Sequence, residues 1–114
     1  MAKRTFELCY EWWYATLIID DELAANELKE VVEYRDDWES VLATHNGDYA
    51  KAFCHYIGPE LVIESPNSTL EWVRDYVFTK KEGYCMKLDG TKGIELTAID
   101  EWYLERELVE VREL

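Results

Sequence analysis

Two β-rich runs separated by three residues open the chain and do most to limit its fold. In RTFELCYEWWYATLIID, residues 4–20, Phe6, Leu8 and Tyr10 point one way, and Thr5, Glu7 and Cys9 point the other. That alternation has the period of a half-buried strand. A second run, residues 14–19, follows so closely that only an antiparallel hairpin turning near residues 11–13 connects them, although no Asn-Gly step marks the turn.

From Asp20 the period changes. Asp20 or Asp21 suits a helix N-cap, and further acids are favoured in the first turn by the backbone dipole. Leu28, Val31, Tyr34, Trp38, Val41, Leu42 and His45 recur at threes and fours, and Asn46-Gly47 supplies a stop. The pattern predicts one long helix, with a break near residues 35–37 as the alternative. A shorter helix over residues 47–58 should be interrupted by Gly58-Pro59. Residues 61–63 suit either a turn or a short strand. A loop at residues 65–68 leads to a third helix, with Leu70, Val73 and Val77 inward and Trp72 and Tyr76 as further inward candidates, ending near Phe78. Residues 79–93, rich in Gly and Lys, read as a locally basic loop. Strands follow at residues 94–99 and 104–111. The fold class is therefore α+β, in the order ββ-ααα-ββ, with the helices packed on one face of a small antiparallel sheet.

Length sets one domain: 114 residues carry a single modest core. Five Trp, eight Tyr and a hydrophobic share of 48% mark a chain that packs rather than a disordered acidic tail. The formal net charge is -13, beyond the magnitude of roughly 2 to 8 that keeps a small domain in solution. Such an excess disfavours nucleic acid and anionic membranes as direct ligands and favours a basic protein surface. Cys9, Cys54 and Cys85 form no repeated short spacing, nothing at the N-terminus reads as a signal peptide, and no apolar run approaches a membrane span. The expected setting is a reducing cytoplasm.

Sites for chemistry are weakly marked. His45, Cys54, His55, Cys9 and Cys85 offer soft ligands without a CxxC or HxxxH pair, so no metal is expected. Cys54 and His55 are neighbours on a helix and point about 100° apart, which does not suit a nucleophile and its base. The bland reading of Cys54 is a small apolar helix residue. DGTKGIE, residues 89–95, lacks the oxygen ligands of a calcium loop, and its glycines match no phosphate-binding spacing; it reads as a turn into a strand. No catalytic residue and no cofactor are expected. Trp12, Trp13 and Tyr14 at the hairpin tip, and Trp102-Tyr103, are either core or interface anchors.

The densest feature is DDELAANELKEVVEYRDDWE, residues 20–39, where nine carboxylates face two cations, Lys29 and Arg35. On a continuous helix Glu30, Glu33 and Asp37 share one face, with Glu27 and Asp36 on its flanks, opposite the apolar stripe. Such a ridge approaches the charge density of a nucleic acid, roughly one charge per 1.7 Å for a duplex. Glu101 and Glu105, with Asp100, Glu107, Glu110 and Glu113, form a second acidic stretch. These acids either bind a partner or only confer solubility.

The N-terminal hairpin RTFELCYEWWYATLIID, the helix reaching Trp38, the Asn-Gly-Asp step at 46–48 and the segment EGYCMKLDGTKGIELTAIDEW together resemble an uncharacterised family of small acidic proteins of proteobacteria and their phages and prophages. The resemblance spans most of the chain and rests chiefly on EGY...LDGTKGI. It implies a single α+β domain in a phage-associated setting and brings no active site. By analogy of class, small acidic phage proteins act on host defence machinery. The leading expectation is a non-enzymatic protein binder, an inhibitor of a host nucleic-acid-binding complex of anti-CRISPR or anti-restriction type. Its binding residues would be Glu27, Glu30, Glu33, Asp36, Asp37, Glu101 and Glu105. The alternative is a structural or accessory homodimer joined through a strand edge or an aromatic patch.

Overall fold

A computed structural model describes residues 3–100 of the chain. The strand expected at residues 104–111, and Glu101, Glu105, Trp102 and Tyr103, lie outside the described residues. β1 (Lys3–Tyr10) and β2 (Trp13–Asp20) form the hairpin, four helices follow, and β3 (Ile94–Ile99) returns to the far side of β2. The sheet is antiparallel in the order β1-β2-β3, so the fold is α+β.

The hairpin turn is tighter than the sequence implies, because Tyr10 pairs with Trp13 and only Glu11 and Trp12 make the reversal. Glu11 takes a φ of +54°, a left-handed geometry normally left to Gly, Asn or Asp. That explains why no turn signal is visible. Register puts Phe6 beside Leu17 and Leu8 beside Ala15, and the inner face continues through Trp13, Ile19, Ile94, Leu96 and Ile99. Strict alternation from Ile94 would send Ile99 outward. A bulge at Thr97, two residues of β3 facing Thr16, turns Ile99 back to the core.

The expected long helix is two. α1 (Ala25–Glu33) and α2 (Trp38–Thr44) are separated at residues 34–37, the alternative that the charged run left open. Asp20 does cap, but one turn early: its carboxylate accepts from the amides of Glu22 and Leu23, and Ala24 at the α1 N-cap makes no side-chain bond. Leu28, Val31 and Val41 are buried, whereas Tyr34 faces water. α2 ends at Asn46-Gly47, where the Gly47 amide donates to the Leu42 carbonyl and both residues have positive φ.

α3 (Tyr49–Glu64) runs through Gly58-Pro59, against expectation, and absorbs residues 61–63. Proline removes one helical donor and clashes with the preceding turn, a cost of about 3 kcal/mol. Two features offset it. Gly58 has no Cβ to clash with the ring, and Ile57 and Leu61 on either side are fully buried, contributing roughly 1.5–3 kcal/mol each. Asp48 caps the helix by accepting from the Ala50 and Lys51 amides.

α4 (Leu70–Asp75) is capped by Thr69 and gives way to a 3-10 turn, Val77–Thr79. Val73 and Phe78 point inward, but Trp72 and Tyr76 are exposed and lie against each other, ring centroids 5.1 Å apart. The loop at residues 79–93 is no inert connector: Tyr84, Met86 and Leu88 are buried. Its backbone is pinned by Met86 to Phe78, Leu88 to Arg74 and Leu96 to Leu88 hydrogen bonds. The helices cover the inner sheet face, with α1 and α2 packed on α3.

Candidate functional site

The break between α1 and α2 exists because Arg35 turns inward. Its guanidinium lies over the rings of Tyr84, Tyr56 and Tyr34 at 4.6, 5.1 and 5.6 Å from their centroids. It donates to the Val31 carbonyl at 2.6 Å and to the Gly83 carbonyl at 3.4 Å. A guanidinium is weakly hydrated and stacks on aromatic faces, so three tyrosines stabilise it without a carboxylate. One of the two cations of the acidic stretch is thereby spent on the core.

The expected acids are therefore not one ridge on one helix. Glu27 and Glu30 of α1 border a shallow cleft of about 350 Å³, with Tyr34 and the loop residues Glu82, Gly83 and Cys85 opposite. Glu33 accepts a hydrogen bond from the Tyr49 hydroxyl at 2.7 Å, and Asp37 accepts from the Tyr56 hydroxyl at 2.6 Å, so both are tied to α3. Asp36 sits exposed in the break. Tyr34 in turn donates to Glu82. Tyrosine hydroxyls orient carboxylates without cancelling their charge. The bond to Glu33 raises the Tyr49 hydroxyl pKa, and burial together with Asp37 pushes Tyr56 up to about 12, so both remain donors at neutral pH.

The ion pairs of the described residues lie elsewhere. Arg4 binds Asp21 and Asp48, Arg74 binds Asp75, and Lys81 binds Glu60 and Glu64. None of these ion pairs involves Glu27, Glu30, Glu33, Asp36 or Asp37. The result is an anionic surface on α1, the break and the facing loop, in which tyrosine hydroxyls orient Glu33, Asp37 and Glu82. Glu82 and the tyrosines that order this surface were not legible in sequence. Tyr34 and Glu82 lie 48 positions apart, and no local period links them.

The remaining candidates resolve simply. Cys54 is buried in α3 and its thiol is pushed up to about 12 by desolvation, which holds it protonated. His55 meets His45 and Tyr56 edge-on. Among the described residues no three His, Cys, Asp or Glu side chains gather where they could hold a metal ion, and no helix is long and apolar enough to cross a membrane. Asp89 accepts from both the amide and the hydroxyl of Thr91 in a local turn. At the hairpin tip Trp13 is core, donating its indole N–H to Ser65 at 3.0 Å, whereas Trp12 and Tyr14 are exposed.

The sequence matches no protein-family model, no curated protein and no solved structure. The functional reading therefore rests on the geometry of this chain.

Proposed function

We propose that this chain is a non-catalytic protein-binding domain whose α1–α2 acidic face docks on a basic protein surface of the kind that holds nucleic acid. The observation that carries the reading is the segregation of charge. Five acids on one segment stand outside every ion pair among the described residues, and Arg35 between them is turned into a tyrosine cage. Carboxylates that stand outside ion pairs raise association rates with a cationic groove and make binding salt-sensitive. An inhibitor of a host nucleic-acid-binding defence complex, phage-encoded, is the biological role that fits such a surface.

The test captures partners from a bacterial lysate at low salt and challenges the complex with duplex DNA, with RNA and with high salt. The expected result is a basic partner released by all three. Glu30→Lys with Asp36→Lys, two exposed positions whose side chains make no hydrogen bond to the described residues, should abolish capture while the circular dichroism stays unchanged. Capture that survives these reversals places the binding elsewhere.

A further inference from the structure

β1 is an edge strand, and no backbone hydrogen bond outside the β1–β2 ladder reaches it among the described residues. Against its outer edge lies an apolar groove of about 590 Å³, walled by Gly58, Pro59, Val62 and Ile63 of α3. Four consecutive β1 residues, Glu7 to Tyr10, line it. Side chains of a strand alternate between faces, so a cavity touched by four in succession faces the strand's edge and its unpaired N–H and C=O groups. Gly58 keeps the groove open, since a Cβ there would meet only Leu8 Cδ1, at 4.0 Å.

We infer that this edge and groove take an extended segment of a partner protein, added as a fourth strand beside β1 and alternating apolar with basic side chains. In strand addition the backbone supplies affinity and alternate side chains supply specificity. Here parity dictates the alternation. Residues on the Leu8 and Tyr10 side enter the groove beside α3, and residues on the Glu7 side emerge on the opposite face of the sheet. Glu7, in no ion pair among the described residues, and the exposed Glu11 beyond it favour Lys or Arg there. A second copy of the chain fits less well. Antiparallel pairing of β1 with itself centred on Glu7, Leu8 or Cys9 sets Glu7 directly opposite or diagonal to Glu7 or Glu11 of the other copy, and like charges so placed destabilise a sheet. This surface is separate from the α1–α2 face, and the inference goes beyond the function proposed there.

The test uses the full chain and a fluorescein-labelled synthetic peptide alternating lysine and valine, KVKVKVK, at physiological salt. Fluorescence anisotropy should show saturable binding, and hydrogen exchange should show new protection of the Glu7 and Cys9 amides, which point away from β2. Ile63→Gln, which removes an exposed apolar side chain from the groove wall, should weaken binding by about tenfold, near 1.4 kcal/mol. The same peptide N-methylated at every backbone amide keeps its charge and should not bind; equal binding would reduce the interaction to bulk electrostatics and overturn the inference. Protection of the Glu7 and Cys9 amides, which point away from β2, without peptide would assign the edge to the protein itself and also overturn it. Glu30→Lys with Asp36→Lys should leave the β1 protection in place. If those reversals abolish it with the fold intact, the peptide sits on the acidic face, and this inference fails while the proposed function stands.

Discussion

Asp48 performs two tasks that substitution can separate. Its carboxylate accepts the Ala50 and Lys51 amides at 3.0 and 3.3 Å, capping α3, and takes two hydrogen bonds from Arg4 of β1, each at 2.8 Å. Asp48→Asn keeps an oxygen for the cap and removes the charge; Asp48→Ala removes both. The Arg4 guanidinium, aided by the backbone amides, lowers the Asp48 pKa from 3.8 to about 2, equivalent to about 2 kcal/mol at most. Solvent reaches both partners, with side chains 35% and 24% exposed, so roughly 1 kcal/mol survives screening. Loss of a cap costs a further ~1 kcal/mol. Urea denaturation at neutral pH should therefore find Asp48→Asn destabilised by roughly 1 kcal/mol and Asp48→Ala by roughly 2 kcal/mol. Because the folded-state pKa is depressed, the ion-pair contribution is complete above the unfolded value of 3.8 and is lost as pH falls toward 2. The stability gap between wild type and Asp48→Asn should thus close between pH 4 and pH 2. A gap that stays constant through that window refutes the ion pair as its source, and equal losses in the two variants refute the cap.

Three further outcomes follow from individual positions. Gly93 has φ +85°, and a Cβ there would stand 2.7 Å from the Ala24 amide nitrogen; Gly93→Ala should cost at least about 2 kcal/mol in chemical denaturation. Glu11, left-handed in the hairpin turn, should be relieved by Gly, with Glu11→Gly raising stability by roughly 0.5–1 kcal/mol in the same assay. Arg35→Lys retains the charge but loses the planar stacking among three tyrosines, so it should destabilise by about 1–2 kcal/mol and speed amide exchange at residues 34–37. A Lys that substitutes without loss would show that the cage needs only a positive charge.

Features written in local period were legible in the sequence. The hairpin followed from alternation over residues 5–19, β3 from its β-rich run, the α2 stop from Asn46-Gly47, and the burial of Leu28, Val31, Val41 and Val73 from spacing at threes and fours. The anionic character of residues 20–39 is composition alone. These readings survive because a strand or an amphipathic helix must bury whichever face is apolar, and that face is fixed by residues a few positions apart.

Tertiary structure decided the rest, wherever the stabilising partner was distant in the chain. Arg35 could have continued a helix, but Tyr56 and Tyr84 offered it stacking, and the break that follows sets where Asp36 and Asp37 stand. Pro59 reads as a stop until the burial of Ile57 and Leu61 outweighs its missing donor. Residues 79–93 read as a basic loop because Tyr84, Met86 and Leu88 are too sparse to mark a strand, yet each fills a place in the core. Local pattern chooses the apolar side of an element; energy supplied by residues far along the chain chooses where the element ends and which charges are left unpaired.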